Sequence, residues 1–204
     1  MFDVNGYLGT YLSVLDGLDR AAVDTLADLV FTTWRSARTV FLCGNGGSAA
    51  TATHVSADLV KLTTPEGTRR LRAVALGEGL PGFSAAANDI GYDQVFAEQL
   101  DAFLRPGDLV VGLSTSGASP NVLRAIEFAR GAGATTAGIT GLHGRLLHDA
   151  VHHCLVVPSA SVQQVEDATM VVGHLLCLAV RARVDAHLAP AAAPRASAVR
   201  ASGL

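Results

Sequence analysis

The sequence predicts an α/β fold, a three-layer α-β-α sandwich around a five-stranded parallel sheet, preceded by an N-terminal helical hairpin. Five short apolar runs alternate with segments in which apolar residues recur every three or four positions. Half of the 204 residues are hydrophobic and only 5% are aromatic, with alanine, valine, leucine and glycine dominant. This composition suits strands that are buried on both faces of a sheet.

The hairpin occupies residues 2–36. Leu8, Leu12 and Leu15 recur at helical spacing, and the pattern resumes after a break near Asp16 and Gly17. Such a pair of helices has an apolar stripe that must be covered. We expect the stripe either to pack on its own domain or to form a subunit interface.

The α/β unit follows the hairpin, and together they form one expected domain over residues 1–187. We expect strands at 38–43, 71–76, 109–113, 134–140 and 153–157. Helices are expected at 48–62, at 81–104 in two parts around a turn at 88–92, at 119–132 and at 162–186, with 141–149 a loop or a short helix. Residues 188–204 are rich in Ala, Pro, Arg and Ser without periodicity, which predicts a disordered tail.

Composition also excludes several classes of protein. The net charge is −3 with no basic stripe, which argues against a nucleic-acid partner. The three cysteines, Cys43, Cys154 and Cys177, lie far apart in apolar runs and are expected to be buried thiols of a reducing compartment. No signal peptide is recognisable, and no apolar run reaches the ~18 residues of a membrane span. We therefore expect a cytoplasmic protein without a membrane partner.

The first candidate site is the stretch Thr39–Ser48, TVFLCGNGGS, where an apolar run ends in a glycine turn before a helix. Glycine lets backbone N–H groups approach an anion, because it has no Cβ in the way. Gly44–Ala49 also fits the dinucleotide pattern G-x-G-x-x-A. That pattern needs an acidic residue at the end of the second strand, whereas Glu66 lies in a polar turn, so we disfavour a dinucleotide cofactor.

The second candidate site is the stretch Gly112–Asn121, GLSTSGASPN, which also follows a strand. Four hydroxyls fall within six residues ahead of a helix whose predicted N-cap is Ser119 and whose first residue is Pro120. Hydroxyl donors and the positive end of a helix dipole suit a phosphate, which has only acceptor oxygens. In a parallel sheet both loops lie at the carboxyl ends of strands, so we interpret them as one sugar-phosphate site.

Four motifs carry a family resemblance: CGNGGSAA, AANDIGYDQVF, GLSTSGASPNVLRAI and, on the last helix, GHLLCLAV. In this order and spacing, from about residue 5 to residue 184, they resemble the flavodoxin-like sugar isomerase (SIS) domain. Within that family the sequence is similar to the phosphoheptose isomerases, which act on sedoheptulose 7-phosphate. The resemblance implies an isomerase that is a homotetramer, with the hairpin in a central bundle and active sites between subunits.

The resemblance also implies roles for individual residues. The sugar would be contacted by the first loop and by the Asn-Asp pair of the second motif, and the phosphate by the hydroxyls of the second loop. The implied sugar ligands are Asn45, Gly46, Ser48, Asn88, Asp89 and Glu166, and the implied phosphate ligands are Ser114, Thr115, Ser116 and Ser119.

Acid–base chemistry would fall to Asp58 and His174. Aldose–ketose isomerisation moves a proton between adjacent carbons through an enediol, and it needs a base and an acid. The family has a glutamate four residues after a histidine, and here His54 is followed by Asp58. Aspartate retains the carboxylate but shortens its reach, and a catalytic group misplaced by ~1 Å can cost ~100-fold in rate.

Some family members bind zinc, and the resemblance places the ligands at His54, Asp58, Glu166 and His174. Glu166 stands where the family has a glutamine, so the site is more anionic here and favours a divalent cation, zinc first. Glu166 and His174 are ~12 Å apart along one helix. We therefore expect different protomers to supply them to one ion.

The expected function is interconversion of D-sedoheptulose 7-phosphate and D-glycero-D-manno-heptose 7-phosphate, feeding synthesis of nucleotide-activated heptose. Two alternatives stay open at this point. One is a non-catalytic protein of the same fold, either sugar-phosphate-binding or replication-initiator-associating. The other is an isomerase of a related sugar phosphate.

Overall fold

A five-stranded parallel sheet in the order β2-β1-β3-β4-β5 organises the computed structural model, which describes residues 2–189. The strands are β1 (Thr39–Gly44), β2 (Arg72–Ala75), β3 (Leu109–Ser114), β4 (Thr135–Thr140) and β5 (His153–Val156). The helices are α1 (Val4–Asp16), α2 (Arg20–Arg35), α3 (Gly47–Leu62), α4 (Leu80–Asp89), α5 (Val95–Phe103), α6 (Pro120–Gly131), α7 (Arg145–Ala150) and α8 (Val162–Leu188), with a 3₁₀ turn at Tyr92–Gln94.

Helices cover both faces of the sheet, as predicted. Side chains alternate along β1: Val40 and Leu42 join a core with α1, α2, α3 and α8, whereas Phe41 and Cys43 join a second core with α5, α6 and α7. Because successive strand residues point to opposite faces, a strand with no polar alternation must be buried on both sides. The predicted three-layer α/β fold is confirmed.

The observed element boundaries agree with the predicted boundaries to within a residue or two, apart from three differences. Helix α4 continues through Asp89, so the expected turn begins later, where Gly91 adopts a φ of +104°. The segment 141–149 is a loop followed by the short helix α7. Helix α8 extends to Leu188, and the rest of the predicted tail, 190–204, lies outside the described residues.

The hairpin packs on α8 through its polar side chains as well as its apolar ones. Tyr7 donates to a carboxylate oxygen of Asp167 at 2.8 Å, and Gln164 donates to the hydroxyl of Thr10 at 2.8 Å. The inner apolar residues of both helices join the core, but Leu12 on α1 is 67% exposed. The predicted apolar stripe is therefore only partly covered within one chain.

No helix among residues 2–189 combines the length and the apolar character needed to span a membrane.

Candidate active site

The two predicted loops lie side by side at the carboxyl edge of the sheet. Strands β1 and β3 are neighbours, with Gly44 paired to Leu113. The strand order reverses its direction at this pair, since β2 lies on one side of β1 and β3, β4 and β5 follow on the other. Open α/β sheets bind ligands in the crevice at such a switch point.

The first loop is a tight turn that starts α3. The carbonyl of Asn45 accepts the N–H groups of Ser48 at 3.0 Å and Ala49 at 3.3 Å, and Gly46 has a φ of +54°. A Cβ at Gly44 would lie 2.7 Å from the Cβ of Ser48, so the close approach requires glycine there. Ser48, expected to contact the sugar, is 7% exposed and faces the interior of the single chain.

The second loop brings its hydroxyls together at the start of α6. Ser114, at the end of β3, and Ser119 lie with their Oγ atoms 3.0 Å apart. Ser119 is the N-cap as predicted, but its side chain bonds Ser114 and makes no capping hydrogen bond. The Oγ of Ser116 accepts the N–H of Ala118 at 3.2 Å, which folds the loop on itself.

Glycine is required in the middle of this loop. Gly117 has a φ of +63°, and a Cβ there would meet the backbone of Gly144. Thr115 is held from the next loop, since its carbonyl accepts the N–H of Gly141 at 3.1 Å. The hydroxyl-bearing loop is therefore braced by the chain that follows β4.

Two residues that were not among the predicted site residues, although both lie within the motifs, join the loops. Asn121 exchanges a pair of side-chain hydrogen bonds with Asn45, at 2.9 and 2.8 Å, and Tyr92 donates its hydroxyl to the same Asn45 at 2.8 Å. Asn121 was visible in the sequence as the last residue of GLSTSGASPN, but nothing in that motif shows which side chain it contacts. Asn88 and Asp89 end α4 three residues before Tyr92, are exposed, and bond each other at 2.7 Å.

A separate cluster forms between α3 and α8. The Nε2 atoms of His54 and His174 lie 3.0 Å apart, and Oδ2 of Asp58 is 3.4 Å from the first and 3.9 Å from the second. The Asp58 side chain is 22% exposed, and each histidine side chain is about half exposed. The shorter aspartate therefore reaches both histidines within one chain.

The helix pairing explains this convergence. Helices α3 and α8 run in the same direction, because contacts between them advance along both chains together: His54 contacts His174, and further on Arg181 donates to the carbonyl of Leu62. Gly173 lies directly against Val55, where a Cβ would come within 3.0 Å of Cγ2. The missing side chain lets the helices approach closely enough for the histidines to touch.

Glu166 is not part of this cluster. Its carboxylate lies against the Cα of Gly47, where a Cβ would come within 3.0 Å of both oxygens. Gly47 begins α3, so the carboxylate sits near the positive end of that helix dipole. His54 is seven residues, or ~10 Å, further along α3. In one chain, Glu166 belongs with the first loop, and three of the four expected metal ligands converge without it.

Cys177 lies one turn beyond His174 and stays a thiol at neutral pH. Burial, together with the nearby Asp58 carboxylate, raises its pKa to about 12.

The donor set of the cluster fits a metal ion. The three ligand atoms of His54, Asp58 and His174 all lie within 4.8 Å of one another. Zinc–ligand bonds of ~2.0–2.1 Å at tetrahedral angles place donor atoms ~3.3 Å apart, close to the separations described above. Two imidazoles and one carboxylate also match a zinc site that keeps a fourth position open.

Comparison with known proteins decides the family. A sequence model of the SIS domain matches residues 7–141. The phosphoheptose isomerase of Roseiflexus sp. (strain RS-1) is 42% identical over 152 residues, which are 74% of this chain and 77% of the relative. The chain belongs to the phosphoheptose isomerase family of SIS-domain proteins.

Solved phosphoheptose isomerases share the whole architecture. The structure from Neisseria gonorrhoeae superposes with a TM-score of 0.81 at 27% identity, covering 88% of this chain and 97% of that one. The structure from Francisella tularensis gives a TM-score of 0.81 at 25% identity, with coverage of 88% and 96%. The family predicted from the four motifs is confirmed, and phosphoheptose isomerases are sugar-phosphate isomerases.

Proposed function

We propose that this protein interconverts D-sedoheptulose 7-phosphate and D-glycero-D-manno-heptose 7-phosphate through an enediol, and so supplies the synthesis of nucleotide-activated heptose. Membership of the phosphoheptose isomerase family supports the substrate class. The observation that carries the proposal is the contact of His54, Asp58 and His174, because an acid and a base within 4 Å of each other suit proton transfer between adjacent carbons.

Substrate binding is proposed for both loops. The hydroxyls of the second loop and the start of α6 would bind the phosphate, because both present donors and positive potential. The first loop, the exposed pair at the end of α4, and Glu166 beside Gly47 would face the sugar. The proposed ligands are those expected from the sequence: Asn45, Gly46, Ser48, Asn88, Asp89, Ser114, Thr115, Ser116, Ser119 and Glu166.

Acid–base roles are proposed for Asp58 and His174. The Asp58 carboxylate would remove the proton from the carbon beside the carbonyl and return it to the neighbouring carbon. His174 would serve the substrate oxygens, because an imidazole can both donate and accept a proton. In the contact between the two Nε2 atoms, one ring donates and the other accepts. Without zinc, His54 would hold His174 in place through that bond, and bound zinc would take over this role, because the two nitrogens cannot bond each other and the metal at once.

Zinc is the proposed cofactor, held by His54, Asp58 and His174, with Glu166 supplied by another protomer. When bound, zinc would polarise the substrate oxygens and stabilise their negative charge. The ~10 Å between Glu166's position and the histidines along α3 supports a contribution from a second chain.

A homotetramer with active sites between subunits is also proposed, because the proposed ligands are separated within one chain. The loops and Glu166 lie at the start of α3, whereas the histidine cluster lies further along this helix. One chain alone therefore does not bring all the proposed ligands together, and a neighbouring chain would supply the rest. Exposed apolar side chains support an interface on α1 and α8, with Leu8 at 52% exposure and Leu178 at 69%. Light scattering at micromolar concentration should give four times the chain mass, and a monomer would contradict this part of the proposal.

A direct assay tests the reaction. Purified protein with sedoheptulose 7-phosphate should form the aldose, chelation should abolish turnover, and added zinc should restore it. Fructose 6-phosphate, assayed in parallel, distinguishes an isomerase of a related sugar phosphate. Binding of sedoheptulose 7-phosphate without turnover, with or without zinc, would refute the enzyme and favour a non-catalytic binding protein.

The substitution Asp58→Asn tests the proposed base. Asparagine keeps the shape of the side chain but cannot accept a proton, so we expect kcat to fall by ~100-fold or more. Asp185→Asn is a matched control, because Asp185 pairs with Arg181 on the exposed end of α8. Retained kcat in Asp58→Asn would exclude this carboxylate as the base.

A further inference from the structure

The side-chain amides of Asn45 and Asn121 face each other across the two loops. Nδ2 of Asn45 donates to Oδ1 of Asn121 at 2.9 Å, and Nδ2 of Asn121 donates to Oδ1 of Asn45 at 2.8 Å. Asn121 is 1% exposed at the start of α6, whereas Asn45 is half-buried at the end of β1. A reciprocal amide pair therefore links the two adjacent strands of the site.

A backbone hydrogen bond determines which atom of each amide is the oxygen and which is the nitrogen. The N–H of Val122 donates to Oδ1 of Asn121 at 3.0 Å, and a backbone N–H is always a donor. That contact fixes the oxygen of Asn121, which leaves its nitrogen facing Asn45. The atom of Asn45 that meets this nitrogen must be its oxygen, so neither amide can be reversed without placing two donors or two acceptors in contact.

Tyr92 completes the arrangement around Asn45. Its hydroxyl donates to Oδ1 of Asn45 at 2.8 Å, beside the bond from Asn121. An amide oxygen has two lone pairs, and both are now in use. The amide nitrogen has two hydrogens and gives one to Asn121, so within residues 2–189 one N–H of Asn45 is left for another partner.

We propose that Asn121 and Tyr92 are positioning residues that make Asn45 a hydrogen-bond donor, directed at an acceptor oxygen of the bound sugar phosphate. Asn45 then donates to a carbonyl, phosphate or hydroxyl oxygen of the ligand and cannot accept a bond from a sugar hydroxyl. The inference rests on the proposed function, since it assigns the chemistry of one contact within that site. Asn121 and Tyr92 act through Asn45 and are not assigned a contact with substrate.

Asn121→Asp and Tyr92→Phe test this role with little change of shape. A carboxylate has acceptors only, so in Asn121→Asp one of its oxygens must face the oxygen of Asn45 in either orientation of the amide. The negative charge near the start of α6 is compatible with the helix dipole, so the variant should fold. We expect KM to rise ~10- to 100-fold in Asn121→Asp and ~3- to 10-fold in Tyr92→Phe, with kcat changing less than twofold.

Thr63→Val is the matched control. Thr63 is fully buried and donates to the carbonyl of Leu59 at the far end of α3. Thr63→Val removes this buried hydrogen bond without changing either loop, so KM should stay at the wild-type value. A similar rise of KM in Thr63→Val would assign the effects to general destabilisation and overturn the proposal.

A double-mutant cycle with Asn45→Ala separates positioning from a direct or structural role. If the two residues act through Asn45, adding Tyr92→Phe or the uncharged Asn121→Leu to Asn45→Ala should change KM by less than twofold, whereas the charge of Asn121→Asp would also repel the phosphate directly. Full additional losses in that background would overturn the proposal.

The same cycle, run on the calorimetric Kd of sedoheptulose 7-phosphate, distinguishes this inference from the proposed function. A wild-type chain that binds the ligand without turnover refutes the isomerase, and the Kd cycle still tests the positioning. Additive losses in the Kd cycle, or a wild-type chain that binds no sugar phosphate, would overturn the inference.

Discussion

Replacing Gly173 by alanine should separate the histidines of the cluster. The added Cβ would come within 3.0 Å of Cγ2 of Val55, whereas carbon atoms in contact are normally ~3.5–4.0 Å apart. Valine in a helix has one strongly preferred rotamer, so Val55 cannot easily turn away. We expect α3 and α8 to move apart by at least ~0.5–1 Å at this point.

Two energies oppose each other in Gly173→Ala. Alanine in a helix interior is favoured over glycine by ~1 kcal/mol, but overpacking of a tight contact costs ~1–3 kcal/mol. We expect the overpacking cost to exceed the gain in helix propensity. The Cβ at position 173 and Cγ2 of Val55 are both held close to their backbones, so neither atom can easily move away. We expect a net loss of up to ~2 kcal/mol in the free energy of unfolding. The effect on activity is larger, since a displacement of ~1 Å at reacting groups costs up to ~100-fold in kcat/KM.

Kinetics, zinc titration and denaturant unfolding measure these effects together. Gly82→Ala is the control, because a Cβ at this exposed position of α4 meets nothing within 4 Å, and it should be neutral or slightly stabilising. Adding Val55→Ala to Gly173→Ala removes the clashing atom and should recover most of the activity. If Gly173→Ala keeps kcat/KM within threefold of wild type, helix spacing does not set the geometry of the cluster.

Three further outcomes are expected. The hydroxyl of Thr140 is buried and has no hydrogen-bond partner within residues 2–189, so Thr140→Val should raise the free energy of unfolding by ~1 kcal/mol in urea; a lower value would show that the hydroxyl is satisfied. Complete burial raises the pKa of Cys43 from 9.0 to about 12. Above pH 9 the unfolded chain therefore loses this proton and the folded chain keeps it, so stability falls between about pH 9 and 12. Cys43→Ala should make that fall less steep, and parallel curves would contradict the assignment. Arg183 donates to Asp28 at 2.6 Å and Asp24 at 3.2 Å, so Arg183→Ala should cost ~1 kcal/mol at low salt and less at 1 M salt; a loss independent of salt would assign the effect to packing of the arginine stem.

The fold was predictable because its signals are local. The strands of a doubly covered parallel sheet are continuous apolar runs, and turn residues such as glycine and serine follow them. Boundaries were less certain where one hydrogen bond decides them. Helix α4 includes Asn88 and Asp89 because the N–H of Ile90 still donates to the carbonyl of Ala86. The chain leaves the helical path only at Gly91, which has a positive φ.

The site was predictable only in part. Spacing places His54 and Asp58 on one turn of α3, so their proximity follows from the helix alone. The contact with His174 depends on the parallel pairing of α3 and α8, which brings together residues 120 positions apart. The amide pair depends on the neighbouring positions of β1 and β3 in the sheet.

Sequence alone determined the architecture, the two loops and the family, because periodicity, turn chemistry and motif spacing are written along the chain. Tertiary structure decided how the functional groups divide. It joined His174 to His54 and Asp58, left Glu166 beside Gly47, and enclosed Asn45 between Asn121 and Tyr92. Such contacts depend on how closely two backbones approach, and that distance is set where Gly173 meets Val55 and where β1 pairs with β3.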